Sequence, residues 1–347
     1  MPEETTTRPA EGAGAPSPML DPVPWRHRHL LDVDGLSWPE IETVMRTTDA
    51  MREILGRPIA RVPALRGRTV TILFYEASTR TRVSFELAAK ALSADVVNIA
   101  AQSSSVTKGE SLLDTIRTIE ALGTSMLVMR HSASGAPWLV ARHFGGSVLN
   151  GGDGWHAHPT QALLDLYTIR SRLGPAPGAT GPGLLAGRKV VILGDVLHSR
   201  VARSNIWTLT AAGADLWLCG PATLLRGFDA WGAAGAAGGR AFTVTSDVTA
   251  ALRDADVVMA LRIQRERMAG GLLPSLREYA ARFGLTAERL VTAKPGALVM
   301  HPGPMNEGVE IAADVAVSPQ SVITDQVTNG VAIRMAMLFL LAGGGAA

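Results

Sequence analysis

The chain has 347 residues, a length for about two domains, and with 47% hydrophobic against 18% charged residues it is too apolar to be mostly disordered. Lysine and arginine number 33 against 31 acidic residues, a formal net charge of +2, which argues against a general nucleic-acid or polyanion binder. The one cysteine, Cys219, allows neither an intramolecular disulfide nor a cysteine metal cluster, and its apolar surroundings read as those of a buried small hydrophobe.

Residues 1–25 are rich in Pro, Glu, Thr, Gly and Ala without a period and read as a disordered tail. No basic segment followed by an apolar one occurs there, so no secretory leader is expected. The longest apolar stretch, 335–342, is short of the ~20 residues that span a bilayer. The expectation is a cytoplasmic protein without a membrane or nucleic-acid partner.

The chain then alternates. Apolar, β-branched runs predict strands at 69–75, 95–100, 125–129 and 147–149, with helices at 81–92, 110–122 and 136–144 between them. A long helix at 159–173 leads into a Gly- and Pro-rich loop, 174–187. Alternation restarts with strand 189–193, helix 201–212, strands 215–219 and 242–245, helix 248–255 and strand 256–261. Strand 297–300 precedes a final helix at 319–341 that is apolar on more than one face. The fold class is therefore α/β, with two doubly wound parallel-sheet domains joined by long helices. The expected boundaries are 26–171, 172–318, and a C-terminal helix within 319–347 that packs back on the first domain. Ligands in such sheets bind beyond the carboxyl ends of strands. Neither G-x-G-x-x-G after strand 189–193 nor G-x-x-x-x-G-K-[ST] anywhere is present, which disfavours a dinucleotide or ATP enzyme.

Seven constellations lie at such strand ends. Ser78-Thr79-Arg80-Thr81-Arg82 opens a helix after a strand, where free N–H groups, hydroxyls and guanidiniums suit a phosphate dianion. Ser103-Ser104-Ser105 and Lys108 occupy a polar loop. Lys108 is one of four lysines against 29 arginines. It could close over an anion, and a solvated loop before a helix at Glu110 reads equally well. Arg130, before His131, ends a strand and points to the ligand crevice. In Asn150-Gly151-Gly152-Asp153 to Gln161, the H-x-H of His156 and His158 raises a metal site, but no second cluster completes a coordination sphere. The preferred reading puts His158 and Gln161 at a helix start, able to bond a carbonyl and an amide. Asp195 to Ser204, with His198, Arg200 and Arg203, is a second basic turn. Arg262-Ile263-Gln264 follows a strand, as does His301-Pro302-Gly303-Pro304, whose carbonyls are free to accept.

In this order, S-T-R-T-R, S-S-x-x-x-K-G-E, R-H, H-P-T-Q, H-S-R-V-A-R-S, L-R-x-Q-x-E-R and H-P-G-P-M-N resemble the aspartate/ornithine carbamoyltransferase family. The likeness runs from about His29 to Leu341. H-P-T-Q and H-P-G-P look like the aspartate branch, because the ornithine branch usually carries Cys in both. The resemblance implies transfer of the carbamoyl group of carbamoyl phosphate to the amine of L-aspartate, giving N-carbamoyl-L-aspartate and phosphate in pyrimidine biosynthesis, with no cofactor and no metal. It implies that Ser78, Thr79, Arg80 and Thr81 bind the phosphate. Arg130, His158 and Thr81 would polarise the carbonyl. Gln161 and the carbonyls of Gly303 and Pro304 would hold the carbamoyl NH2. Arg200 and Arg262, supported by Gln264, would hold aspartate. Ser104 and Lys108 would come from a neighbouring subunit of a homotrimer with shared active sites. Further assembly with regulatory or dihydroorotase chains stays open. So do two other readings, a carbamoyltransferase for another amine such as ornithine and a non-catalytic homologue. One departure stands out. The aspartate branch often reads N-R-G where this chain has Asn306-Glu307-Gly308, so a carboxylate stands near the acceptor site if residue 307 faces it.

Overall fold

The structure is a computed structural model, and it describes residues 23–100, 110–175, 181–264, 268 and 270–343. The first helix, α1 (Trp38–Leu55), is one the strand–helix alternation leaves out. Its start is nonetheless written in the sequence. The Glu40 carboxylate accepts the Ser37 backbone N–H at 2.8 Å, and Pro39 sits in the first turn.

Four strands follow, β1 (Thr69–Phe74), β2 (Asp95–Ala100), β3 (Thr124–His131) and β4 (Ser147–Asp153). They alternate with α2 (Thr79–Ala91), α3 (Leu112–Ala121) and α4 (Ala136–Ala141). The sheet is parallel throughout, in the order β2-β1-β3-β4. Leu30 extends its edge, donating to the Val148 carbonyl and accepting from Asn150 N–H, each at 2.9 Å. Both faces are covered, so the strands read as continuous apolar runs. Val70 and Ile72 of β1 enter one core, and Leu73 enters the core on the opposite face.

Helix α5 (Pro159–Leu173) leads to the second sheet, β5 (Lys189–Leu193), β6 (Asp215–Cys219), β7 (Thr243–Thr245), β8 (Val257–Ala260) and β9 (Leu298–Met300). Its helices are α6 (Arg200–Ala211), α7 (Phe228–Ala234), α8 (Val248–Leu252), α9 (Leu276–Phe283), α10 (Ala287–Leu290) and α11 (Ala313–Ala316). This sheet is also parallel, ordered β7-β6-β5-β8-β9. Cys219 ends β6 fully buried, and burial pushes its thiol up to about 12, as expected of a small core hydrophobe.

The last helix, α12 (Ile323–Gly343), returns to the first layer and packs on α1, α2 and α5. By length and apolar composition it could cross a bilayer, but Ala332, Ile333, Met335, Met337 and Leu338 are fully buried in the core. One apolar cluster runs from β1 through α5 and α12 to Val190 and Ile192 of β5. Each sheet has one point where strand order reverses, between β1 and β3 in the first and between β5 and β8 in the second. In open α/β sheets the crevice beyond such a reversal is the ligand position.

Candidate active site

Both reversals open onto one cavity of about 590 Å³. From β1 and the start of α2 come Ser78, Thr79, Arg80 and Thr81, and from β3 comes Arg130. His158 and Gln161 enter from the start of α5. The second sheet contributes Arg200 after β5 and Arg262 and Gln264 after β8. Gly303 and Pro304 close one side after β9. Residues drawn from six places in the sequence thus meet in one space. Ser104 and Lys108 lie outside the described residues.

Three of the cavity's arginines, Arg80, Arg130 and Arg200, are held by backbone carbonyls and one carboxylate. Glu76, just beyond β1, takes Arg200 bidentately, with Nη1 to Oε2 at 3.0 Å and Nη2 to Oε1 at 2.9 Å. Arg130 Nη2 donates to the same Oε1 at 3.2 Å. Arg200 also donates to the Gly154 carbonyl at 3.1 Å, and Arg130 to that of Gly151 at 3.3 Å. A Cβ at Gly152, where φ is +119°, would lie 2.9 Å from Arg200 Nε, so the glycine makes room for the guanidinium. Gly303 does the same for Arg80. A Cβ there would overlap the guanidinium, and φ is +60°. Arg80 Nη1 donates to the Pro302 carbonyl at 2.9 Å, and burial lowers its pKa.

Beneath the cavity lies a buried polar layer. The Asp165 carboxylate accepts three amide N–H groups, from Gln161 at 3.0 Å, Gln326 at 2.7 Å and Asn205 at 2.8 Å. Because the Gln161 amide nitrogen is committed downward, its oxygen is left to the cavity side. Burial pushes Asp165 up to about 6 despite these bonds. His158, at the N-cap of α5, is fixed by its backbone N–H to Ser204 Oγ at 2.9 Å, which ties α5 to α6. In the second sheet Asp195 joins the two loops at the reversal. It bonds His198 Nδ1 at 2.8 Å and accepts Gln264 N–H at 3.2 Å. Under the cis Gly303–Pro304 peptide, His301 Nδ1 accepts Gly303 N–H at 2.8 Å. That leaves its Nε2 to donate to Glu310 at 3.2 Å.

Several residues of the constellations point elsewhere. Arg82 is exposed and does not line the cavity, because residues two apart on a helix face opposite ways. One guanidinium of that turn, not two, reaches the site. His131 leaves it for the same reason in a strand, and its ring packs 4.8 Å from Tyr75. His156 lies between Asp153 at 3.1 Å and Asp32 at 3.3 Å, away from His158. Arg203 donates to the Leu197 carbonyl and sits 5.1 Å over Phe228. Glu307 is exposed and is not among the described residues that line the cavity.

Residues 28–171 match the profile of the aspartate/ornithine carbamoyltransferase carbamoyl-P binding domain, and residues 186–341 match that of the Asp/Orn binding domain. The chain belongs to the aspartate/ornithine carbamoyltransferase family. Among relatives, the aspartate carbamoyltransferase catalytic subunit of Roseiflexus sp. (strain RS-1) is 59% identical over 318 residues, 92% of this chain and 96% of that one. The corresponding subunit of Chloroflexus aurantiacus (strain ATCC 29366 / DSM 635 / J-10-fl) is 57% identical over 316 residues, 91% of this chain and 98% of its own length. Among solved structures, aspartate transcarbamoylase from Trypanosoma cruzi in complex with carbamoyl phosphate and aspartate matches with a TM-score of 0.77 at 28% identity, over 92% of this chain and 99% of that one. Ornithine carbamoyltransferase from Thermus thermophilus shares the fold, with a TM-score of 0.74 at 23% identity, over 91% of this chain and 99% of that one.

Within this family member, three cavity or supporting residues escape the sequence reading. Glu76 stands two residues before Ser78, and a carboxylate at a strand end beside two basic turns is a signal that could have marked it. Asp165 falls one turn after Gln161 on a helix buried on all sides, where a charge needs partners. Arg334 lies inside an apolar helix and lines the cavity from below.

Proposed function

We propose that the chain transfers the carbamoyl group of carbamoyl phosphate to the amine of L-aspartate. The observation that carries this reading is the bidentate grip of Arg200 on the Glu76 carboxylate, beside Arg130, between the two sheet reversals. Fork geometry of this kind recognises carboxylates, and the junction of the two half-sites is already laid out for one. An arriving aspartate takes over that interaction.

In this reading the phosphate lies against Ser78, Thr79, Arg80 and Thr81 at the start of α2. Thr81, Arg130 and His158 donate to the carbamoyl oxygen. The Gln161 oxygen and the carbonyls of Gly303 and Pro304 accept from the carbamoyl NH2. Arg200, Arg262 and Gln264 hold the two carboxylates of aspartate. The neutral amine then attacks the carbonyl carbon, forming a C–N bond and a tetrahedral oxyanion. The bond from carbon to the bridging oxygen breaks, and phosphate departs with the proton released by the nitrogen. Each preorganised donor to the oxyanion contributes about 3 kcal/mol to the transition state, and holding both substrates in one cavity supplies proximity. The amine must be uncharged to react, so turnover rises from neutral to mildly alkaline pH.

We also propose a trimer in which Ser104 and Lys108 of a neighbouring copy complete each site. Among the described residues no lysine lines the cavity. The test is an assay of ureido product with carbamoyl phosphate and either aspartate or ornithine. Product with aspartate alone is expected, since Arg200 and Arg262 repel a cationic acceptor. Product with ornithine, or none with either, overturns the proposal. Mixing inactive Arg80→Ala and Lys108→Ala chains restores part of the activity if sites are shared, and no recovery removes the trimeric reading.

A further inference from the structure

Helix α12 places an arginine where a core helix would be expected to carry only apolar side chains. Arg334 is 3% exposed, follows two buried aliphatic residues and precedes four more. Its guanidinium lies 5.0 Å from the Phe85 ring, and its Nε has no hydrogen-bond partner. No hydrogen bond or ion pair joins Arg334 to any other described residue. Asp165 lies close enough in the buried layer to attract it, but that carboxylate's hydrogen bonds go to three amides and none to Arg334. Arg80 and Arg130 lie close enough to act on Arg334 as like charges. Glu76, the carboxylate on the cavity wall, is already shared by Arg130 and Arg200. Even with its pKa pushed down to about 9 by burial, Arg334 is a cation at neutral pH.

A buried cation with no hydrogen bond, set over a ring face and near a carboxylate it does not touch, is a costly thing for a fold to keep. The surroundings make room for it all the same. A Cβ at Gly330, one turn earlier on α12, would lie 2.6 Å from Arg334 Nη1, so the glycine leaves space for the guanidinium. The side chain also lines the cavity together with Ser78, Arg80 and Ser84. We infer that Arg334 is an anion-binding residue of this cavity, supplying its phosphate end with a buried positive charge that a bound phosphate dianion neutralises. This rests on the carbamoyl phosphate reading above and adds to it a group held on the returning helix instead of on the α2 turn. In the ligand-free state Asp165 offsets the charge only in part, and phosphate binding removes the rest of the penalty.

The test is calorimetric titration of inorganic phosphate into the full chain, as wild type, Arg334→Met and Gly330→Ala, with melting temperatures taken without ligand. Arg334→Met is expected to weaken phosphate binding tenfold or more while the ligand-free melting temperature stays level or rises, because the variant removes a buried charge that Asp165 offsets only in part and keeps the bulk. Phosphate affinity within twofold of wild type overturns the inference. So does weaker binding with a lower ligand-free melting temperature, which marks a purely structural arginine. If Arg334→Met does not fold, Gly330→Ala decides. It moves the guanidinium without altering any charge, and phosphate affinity is expected to change at least threefold, an unchanged affinity overturning the inference. Wild type that takes up no phosphate fails the carbamoyl phosphate reading itself, an outcome distinct from any shown by the variants.

Discussion

The two sheets deliver an arginine to the cavity by the same route, strand to turn to helix, and finish the turn in opposite ways. At the second turn, between β5 and α6, Ser199 caps the helix by accepting Ala202 N–H. Asp195 braces His198 and Gln264 beneath it. That turn satisfies itself and presents a side chain, Arg200. At the first turn, between β1 and α2, the Ser78 side chain makes no capping bond. Its helix start keeps donors that only a ligand can use. A turn with closed backbone bonding serves as a rigid mount for one guanidinium. A turn with open bonding is itself the binding surface.

Substitutions can break this contrast. Arg200→Ala should have the largest effect, lowering kcat/KM for aspartate about a thousandfold, in line with loss of a bidentate charge-assisted pair of roughly 4 kcal/mol. KM for carbamoyl phosphate should hardly move, and an equal rise in both KM values would erase the division of labour. Ser78→Ala should cut turnover at least tenfold and leave the melting temperature alone, since no cap is lost; steady-state kinetics beside thermal melts decides this. Asp165→Asn should lower turnover about tenfold, because a new amide donor faces Gln161, Gln326 or Asn205 and turns the Gln161 oxygen away. It also carries a pH signature. Burial raises Asp165 from 3.8 to about 6, so the folded protein binds this proton more tightly than the unfolded chain does. Its contribution favours folding at low pH and is lost as pH rises through that window, by up to about 3 kcal/mol. Denaturation at pH 5 and 7 should show wild type gaining on Asp165→Asn at the lower pH; parallel curves would contradict the assignment. Ser199→Ala should cost about 1 kcal/mol of stability with near-normal aspartate KM. The smallest effect belongs to Glu307→Arg. This charge faces solvent, so KM for aspartate should stay within about twofold, and a severalfold fall would place residue 307 at the acceptor after all.

Much of this arrangement is legible in the sequence where local periodicity decides it. Strands β5 and β6 and helix α5 fall on the residues their apolar runs indicate. The return of the last helix follows from its having apolar residues on more than one face. Helix α1 escapes because no strand precedes it to set the alternation, although Ser37, Pro39 and Glu40 spell its start. Side-chain direction is the harder inference. Arg80 and Arg82, or Arg130 and His131, look equivalent in a motif, and one step of helix or strand geometry sends them apart. Arg334 depends on what other elements bring to it, which no local pattern encodes, and the partners that Glu76 holds arrive from β3 and α6.

The return of α12 also bears on how the molecule is made. A ribosome finishes β1 to β4 early, but the layer that covers α1 and α2 contains Ala332, Ile333 and Met335 to Leu338, which are synthesised last. The first domain's apolar layer is therefore complete only once the chain has passed Met300, where the last strand of the second sheet ends. A nascent chain stalled before residue 323 would expose the apolar flanks of α1 and α2 to chaperones and proteases.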